Sequence, residues 1–223
     1  PRSEFRPFCL FELGALGRQE AWTQLQREYP KNDSADESRF RMAAEFTAAG
    51  RTNNALQLLE SVASDSPRRT EADLMRIELL APTKWNEALS RLTELEKRGL
   101  PSSRLTRAHY AVGLAALENN KPDETIRHLS AVLQATGNTE IHPDCHYRIG
   151  LAWEQKGNTN EATSAYRRAL NAAPKGPLAP YVLLRLAALE MEQKPEQSLL
   201  TLQRLGTDFP DFPYREEAEN LIA

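Results

Sequence analysis

Apolar side chains recur along this chain at three- and four-residue spacing, and no convincing period-two alternation interrupts them. The first pattern is one face of an α-helix; the second would have marked a strand. The pattern is sharpest from Asp144 to Pro174, where Ile149-Gly150 and Trp153 lie on one helix, Gly157 sits in a polar turn, and Ala162, Tyr166 and Ala169 lie on a second. The same order appears at Val112-Gly113 with Thr125, Leu129 and Val132, closed by Gly137. It appears again at Met42-Ala43, Phe46 and Gly50 with Ala55, Leu59, Val62 and Pro67, and at Leu186-Ala187 with Ser198, Leu202, Leu205 and Pro210. A looser unit surrounds Ala88, Leu92, Leu95 and Pro101; its first helix carries Arg76 where the others place a small residue, and Pro82 ends it early.

Corresponding second-helix positions, Ala55, Ala88, Thr125, Ala162 and Ser198, are separated by 33, 37, 37 and 36 residues. That is the period of helix-turn-helix repeats, in which each pair buries its apolar face against the next. Boundary residues agree. Gly50 and Gly157 suit the left-handed conformation that ends a helix, Pro122 and Pro195 suit a first helical turn, and Asp123, Glu124 and Glu161 complement the positive end of a helix dipole. The fold class expected is all-α, a solenoid of antiparallel helix hairpins.

The pattern resembles the tetratricopeptide repeat, whose consensus places small residues where paired helices touch. Here these are Ala43, Gly113, Gly150 and Ala187 on first helices, and Ala55, Ala88, Ala162 and Ala169 on second helices. The resemblance implies a right-handed superhelix in a single domain, 1–223, with about five repeats in 36–210, a degenerate leading hairpin in 5–30 and a capping helix in 214–222. Tyr29-Pro30 followed by Ala35, and Phe209-Pro210 followed by Ala218, look like the junctions of bacterial cell-envelope members of the family, which points to a periplasmic or envelope compartment.

Composition removes several alternatives. The net charge of -3, with basic residues scattered and grouped no further than Arg68-Arg69 and Arg167-Arg168, does not suit a phosphate backbone, so nucleic acid is not an expected partner. No stretch reaches the roughly 18 apolar residues of a transmembrane helix. The chain opens on Pro1, as a trimmed or mature fragment would, so the lack of a leader says little about compartment. No phosphate-cradling glycine loop, G-x-S-x-G elbow or H-E-x-x-H motif occurs, and the expectation is a non-enzyme without a cofactor. His142, Cys145 and His146 offer three donors in five residues, but no second pair completes a zinc site; His146 and His109, each four residues before a helix glycine, read as rings packed where the family consensus has an aromatic. Cys9 and Cys145 lie several hairpins apart and are not expected to bridge.

In the family, first helices line the concave face. The resemblance places Tyr110 and Tyr147, three residues before Gly113 and Gly150, in one row and Leu114 and Leu151 in a second; Leu184 and Ala188 continue them, Tyr181 lies one turn earlier, and Arg107, Asp144 and Glu154 edge the groove. Some family members grip a C-terminal carboxylate with a Lys and Asn clamp. The matching places here are Tyr110, Leu114, Tyr147 and Leu151, so an apolar or helical protein segment is the expected partner. Two readings of the rows stay open: a binding groove, or filler that packs a tight superhelix. Two roles stay open as well: an interaction scaffold, or a structural or oligomerisation module of a longer polypeptide.

Overall fold

In the computed structural model, which describes residues 4–135, 139–191 and 193–213, twelve α-helices and no strand are found among the described residues. They are α1 (Arg6–Ala15), α2 (Gln19–Glu28), α3 (Asp33–Ala48), α4 (Thr52–Glu60), α5 (Arg69–Leu80), α6 (Trp85–Lys97), α7 (Ser102–Glu118), α8 (Pro122–Gln134), α9 (His142–Gln155), α10 (Thr159–Ala172), α11 (Ala179–Glu190) and α12 (Pro195–Asp208). The expected capping helix of 214–222 and the Gly137 closure lie outside the described residues. The chain divides into two compact units, 1–95 and 96–223.

Helix ends follow local chemistry. Pro122 and Pro195 open α8 and α12, where a missing N–H costs nothing. Asn32 and Asn158 cap α3 and α10 by accepting the N–H groups of Ser34 and Glu161 at 2.9 and 3.2 Å. Gly50 and Gly157 have φ of 71° and 69°, and Asn120, 37 residues before Gly157, takes φ 55° in the equivalent turn. Asparagine enters the left-handed region more readily than other side-chain-bearing residues. α5 ends two residues before Pro82.

In the first unit, α1 packs on α2 and α3, and α3 on α4. Gly14 lies directly beneath the Trp22 indole, whose Nε1 donates to the Phe11 carbonyl at 2.9 Å. A buried ion pair, Asp36–Arg39 at 2.7 Å, is completed by Ser66 donating to Asp36 at 2.6 Å and Arg39 donating to Ser61 Oγ at 3.1 Å and the Pro30 carbonyl at 3.2 Å. Further bonds of this kind are what make a buried charge pair tolerable. Arg76, the departure from the small-residue pattern, is buried and reaches Glu60 at 3.0 Å.

In the second unit α7 pairs with α8, α9 with α10 and α11 with α12, and successive pairs stack. Small residues mark each closest approach. A Cβ on Gly113 would stand 2.7 Å from Leu129 Cδ2, and one on Gly150 would stand 2.6 Å from Tyr166 Cδ1. Ala187 is fully buried, and its carbonyl accepts the Ser198 hydroxyl at 2.8 Å. A side chain larger than the native one must displace whatever it meets there. Ile149, Cys145, Leu129, Val132 and Ala165 form one apolar cluster; Tyr166, Ala169, Val182, Leu183, Leu186 and Leu202 belong to the next.

Candidate functional site

All ten residues placed on the groove from the sequence fall in the second unit, on α7, α9 and α11. Tyr110 is partly buried on α7 against the cluster of Leu129 and Ile149, and its hydroxyl donates to Asp144 Oδ2 of α9 at 2.7 Å. Asp144 also accepts Arg148 Nε, one turn along α9, at 2.7 Å. Burial, then the Asp144 carboxylate, pushes the Tyr110 phenol up to about 12. Tyr147, Leu151 and Leu184 pack partly buried against the cluster of Tyr166 and Leu183. The Tyr147 and Tyr166 rings are tilted with centroids 5.9 Å apart. Leu114 is partly buried, and Arg107 is exposed. Tyr181 is 39% exposed and meets Phe212 edge-on at 5.0 Å.

The two carboxylates expected at the groove edge are also tied to neighbouring helices. Glu154 is partly buried, accepts the hydroxyl of the fully buried Tyr166, and accepts Arg185 of α11 at 3.0 Å. Burial and then Glu154 raise the Tyr166 pKa. Glu154 thus joins α9, α10 and α11, and Asp144 joins α7 to α9. Both serve the framework as well as the surface.

A hollow of about 340 Å³ opens beside the Tyr110–Asp144 pair, at the N-terminal ends of α9 and α11. Ile141, Pro143, Leu178 and Val182 line it with apolar surface, while Tyr110 and Asp144 supply hydrogen-bonding groups. Binding sites are concave, mainly apolar surfaces with a few fixed polar groups. Sequence reasoning supplied Tyr110 and Asp144 and missed the apolar lining, because Ile141, Pro143 and Leu178 flank helix starts where the repeat pattern carries no signal.

The donors of the His142-to-His146 run separate in the structure. Cys145 is a fully buried thiol, pushed up to about 12 by burial and then by Asp144, while His142 and His146 are partly buried. Among the described residues, the three metal-capable side chains that do converge are Glu96, His109 and His128. Sequence reasoning read His109 as a packed ring and did not single out the other two.

The tetratricopeptide-repeat family model matches residues 144–176 and 181–211. No curated protein sequence matches the chain. Solved structures similar in fold include YrrB, described as a tetratricopeptide protein with an unusual peptide-binding site, at TM-score 0.67 and 13% identity, covering 90% of this chain and 98% of that one. The Pseudomonas aeruginosa PilF chain aligns at TM-score 0.65 and 16% identity, covering 96% of this chain and 97% of its own. MamA from Desulfovibrio magneticus RS-1 aligns at TM-score 0.63 and 14% identity, covering 82% and 99%. The fold class shared with them is the all-α helical-repeat solenoid.

Proposed function

We propose, from the premise that this chain is a tetratricopeptide-repeat protein, that it is a non-catalytic scaffold holding an apolar or helical segment of a partner protein against α7, α9 and α11. One observation carries the reading: the Tyr110–Asp144 pair stands at the wall of an apolar hollow large enough for one bulky side chain. A tyrosine fixed at its hydroxyl and partly packed offers its remaining ring surface at little entropic cost. The peptide-binding site ascribed to YrrB, of like fold, supports the same use of this one. Arg107, Leu114, Tyr147, Leu151, Glu154, Tyr181 and Leu184 extend the surface along the first helices. The Tyr29-Pro30 and Phe209-Pro210 junctions support a place in a bacterial envelope complex.

The test is recovery of partners by the chain and by a Tyr110→Ala/Tyr147→Ala double variant from the native host. Removing two interface rings is expected to weaken capture by more than tenfold, since one central tyrosine is worth about 2 kcal/mol. Equal recovery by a variant with native circular dichroism refutes the surface. A second reading, an oligomerisation module, is favoured by exposed Phe8 on α1 and Leu16 just past its end, 59% and 81% accessible. A mass that rises with concentration and drops in Phe8→Ser/Leu16→Ser would select it.

A further inference from the structure

His109 of α7 and His128 of α8 face each other inside their hairpin, 5% and 0% exposed, with Nδ1 atoms 2.9 Å apart and ring centroids 5.2 Å apart. A carboxylate stands outside each ring. Glu96 Oε1 is 3.8 Å from His109 Nε2, and Glu124 Oε2 is 3.3 Å from His128 Nε2. Arg127 reaches both carboxylates, at 3.2 and 3.6 Å. With neutral imidazoles the group carries two negative charges and one positive, so its net charge favours one more cation.

The tautomers sharpen this. Glu124, 3.3 Å from His128 Nε2 without closing a hydrogen bond, attracts the proton to that nitrogen and leaves His128 Nδ1 with a bare lone pair. That Nδ1 faces His109 Nδ1 across 2.9 Å, where a cation taking a lone pair from each ring is one occupant. A simple N–H···N bond is the competing occupant. It requires one ring to turn an unprotonated Nε2 toward a carboxylate, which is repulsive.

We infer that His109, His128 and Glu96 form a site for a borderline divalent metal ion of the zinc class, with Glu124 positioning His128. One donor atom from each of the three can be chosen so that all lie within 4.8 Å of one another. Two imidazoles and a carboxylate are a common zinc donor set, and such sites leave a coordination position for water. Tetrahedral bonds of about 2.0–2.1 Å place two nitrogens about 3.3 Å apart, so the pair opens by a few tenths of an ångström when loaded. The ion clamps α7 to α8 through the two imidazoles.

The experiment is calorimetric and optical titration of the purified chain with Zn²⁺ and Co²⁺ at neutral pH, with melting curves alongside. The expected result is 1:1 binding, a higher melting temperature with Zn²⁺, and cobalt d–d bands without a thiolate charge-transfer band. His128→Ala, which puts alanine where the next hairpin has Ala165, is expected to lower affinity at least 100-fold. Glu96→Gln, at a partly exposed position, is expected to lower it about tenfold without affecting the fold. His142→Ala and His146→Ala leave binding unchanged. No saturable binding, in which case the gap holds only a proton, overturns the inference. So does binding that survives both His128→Ala and Glu96→Gln, or cobalt spectra showing Cys145 ligation.

Discussion

The hairpins α7–α8 and α9–α10 share one register, offset by 37 residues, and close the gap between their helices with different chemistry. Gly113 and Gly150 occupy the same place. Beneath the first lies Leu129, beneath the second Tyr166. Where α9 carries Glu154 to receive the Tyr166 hydroxyl, α7 carries Leu117 at the equivalent position. The second-helix partner before it differs too, His128 in α8 and Ala165 in α10. One hairpin therefore has an aliphatic seam beside a buried imidazole pair, and the other an aromatic seam whose polar tip reaches out to the third hairpin through Arg185. The repeat dictates where helices touch; the polar partner at each contact is a local choice, made jointly with residues one turn or one helix away.

The largest effect separates the two glycines. Adding a methyl at Gly150 drives it into a rigid, fully buried ring, while at Gly113 it meets the far end of a leucine that can rotate. Overpacking against the ring is expected to cost about 3 kcal/mol, offset by about 1 kcal/mol of helix propensity gained on leaving glycine. Gly150→Ala should therefore lose about 2 kcal/mol in urea unfolding, and Gly113→Ala should come out near zero. Equal losses would mean the two seams are equally rigid. Next in size is Tyr166→Phe, which removes a hydroxyl bonded to a carboxylate and should cost about 1.5 kcal/mol. In a Glu154→Gln background the same change should cost less, and a double-mutant cycle reads the difference.

Alkaline pH tests the tyrosines. The Tyr110 phenol titrates near 12 when folded, against about 10 in an unfolded chain, and Tyr166 is raised in the same direction. A folded pKa above the unfolded one means the stabilisation is complete below pH 10 and is lost as pH climbs through the folded value. Urea midpoints should fall from about pH 10 upward. Tyr110→Phe and Tyr166→Phe should each flatten that fall, and ultraviolet titration should find three phenols among the described residues, Tyr110, Tyr147 and Tyr166, ionising late.

How much of this was legible beforehand follows from what each residue has to satisfy. Gly113, Gly150 and Ala187 were readable because close approach is a steric demand met by a single residue, and it repeats. Pro122, Pro195, Gly50 and Gly157 were readable because helix ends are settled within a turn. Asp144 and Glu154 were legible as charged residues on first helices, but their partners were not. Their partners, Tyr110, Tyr166 and Arg185, lie 34, 12 and 31 residues away, and periodicity reports a face without naming what lies across it. The imidazole pair was invisible for the same reason. His109 and His128 are 19 residues apart on two helices, and Glu96 belongs to a third.

The smallest effect uses a thiol that α9 carries and α7 lacks. Cys145 is fully buried, and 37 residues earlier the same register holds Ala108, also fully buried. The surrounding packing thus accepts a methyl group in one hairpin, and Cys145→Ala is expected to cost no more than about 1 kcal/mol. The thiol itself is a probe of how often the seam opens. With its pKa pushed up to about 12, it is almost entirely protonated at pH 8, and in the closed state it should resist alkylation. Exposed Cys9 should react at once, so native protein yields one fast thiol and unfolded protein two. Because labelling of Cys145 then waits on local opening, its rate should rise in Gly150→Ala and stay unchanged in Gly113→Ala. Acceleration by both would show that the two hairpins open together, and the contrast between their seams would then have no consequence for local stability.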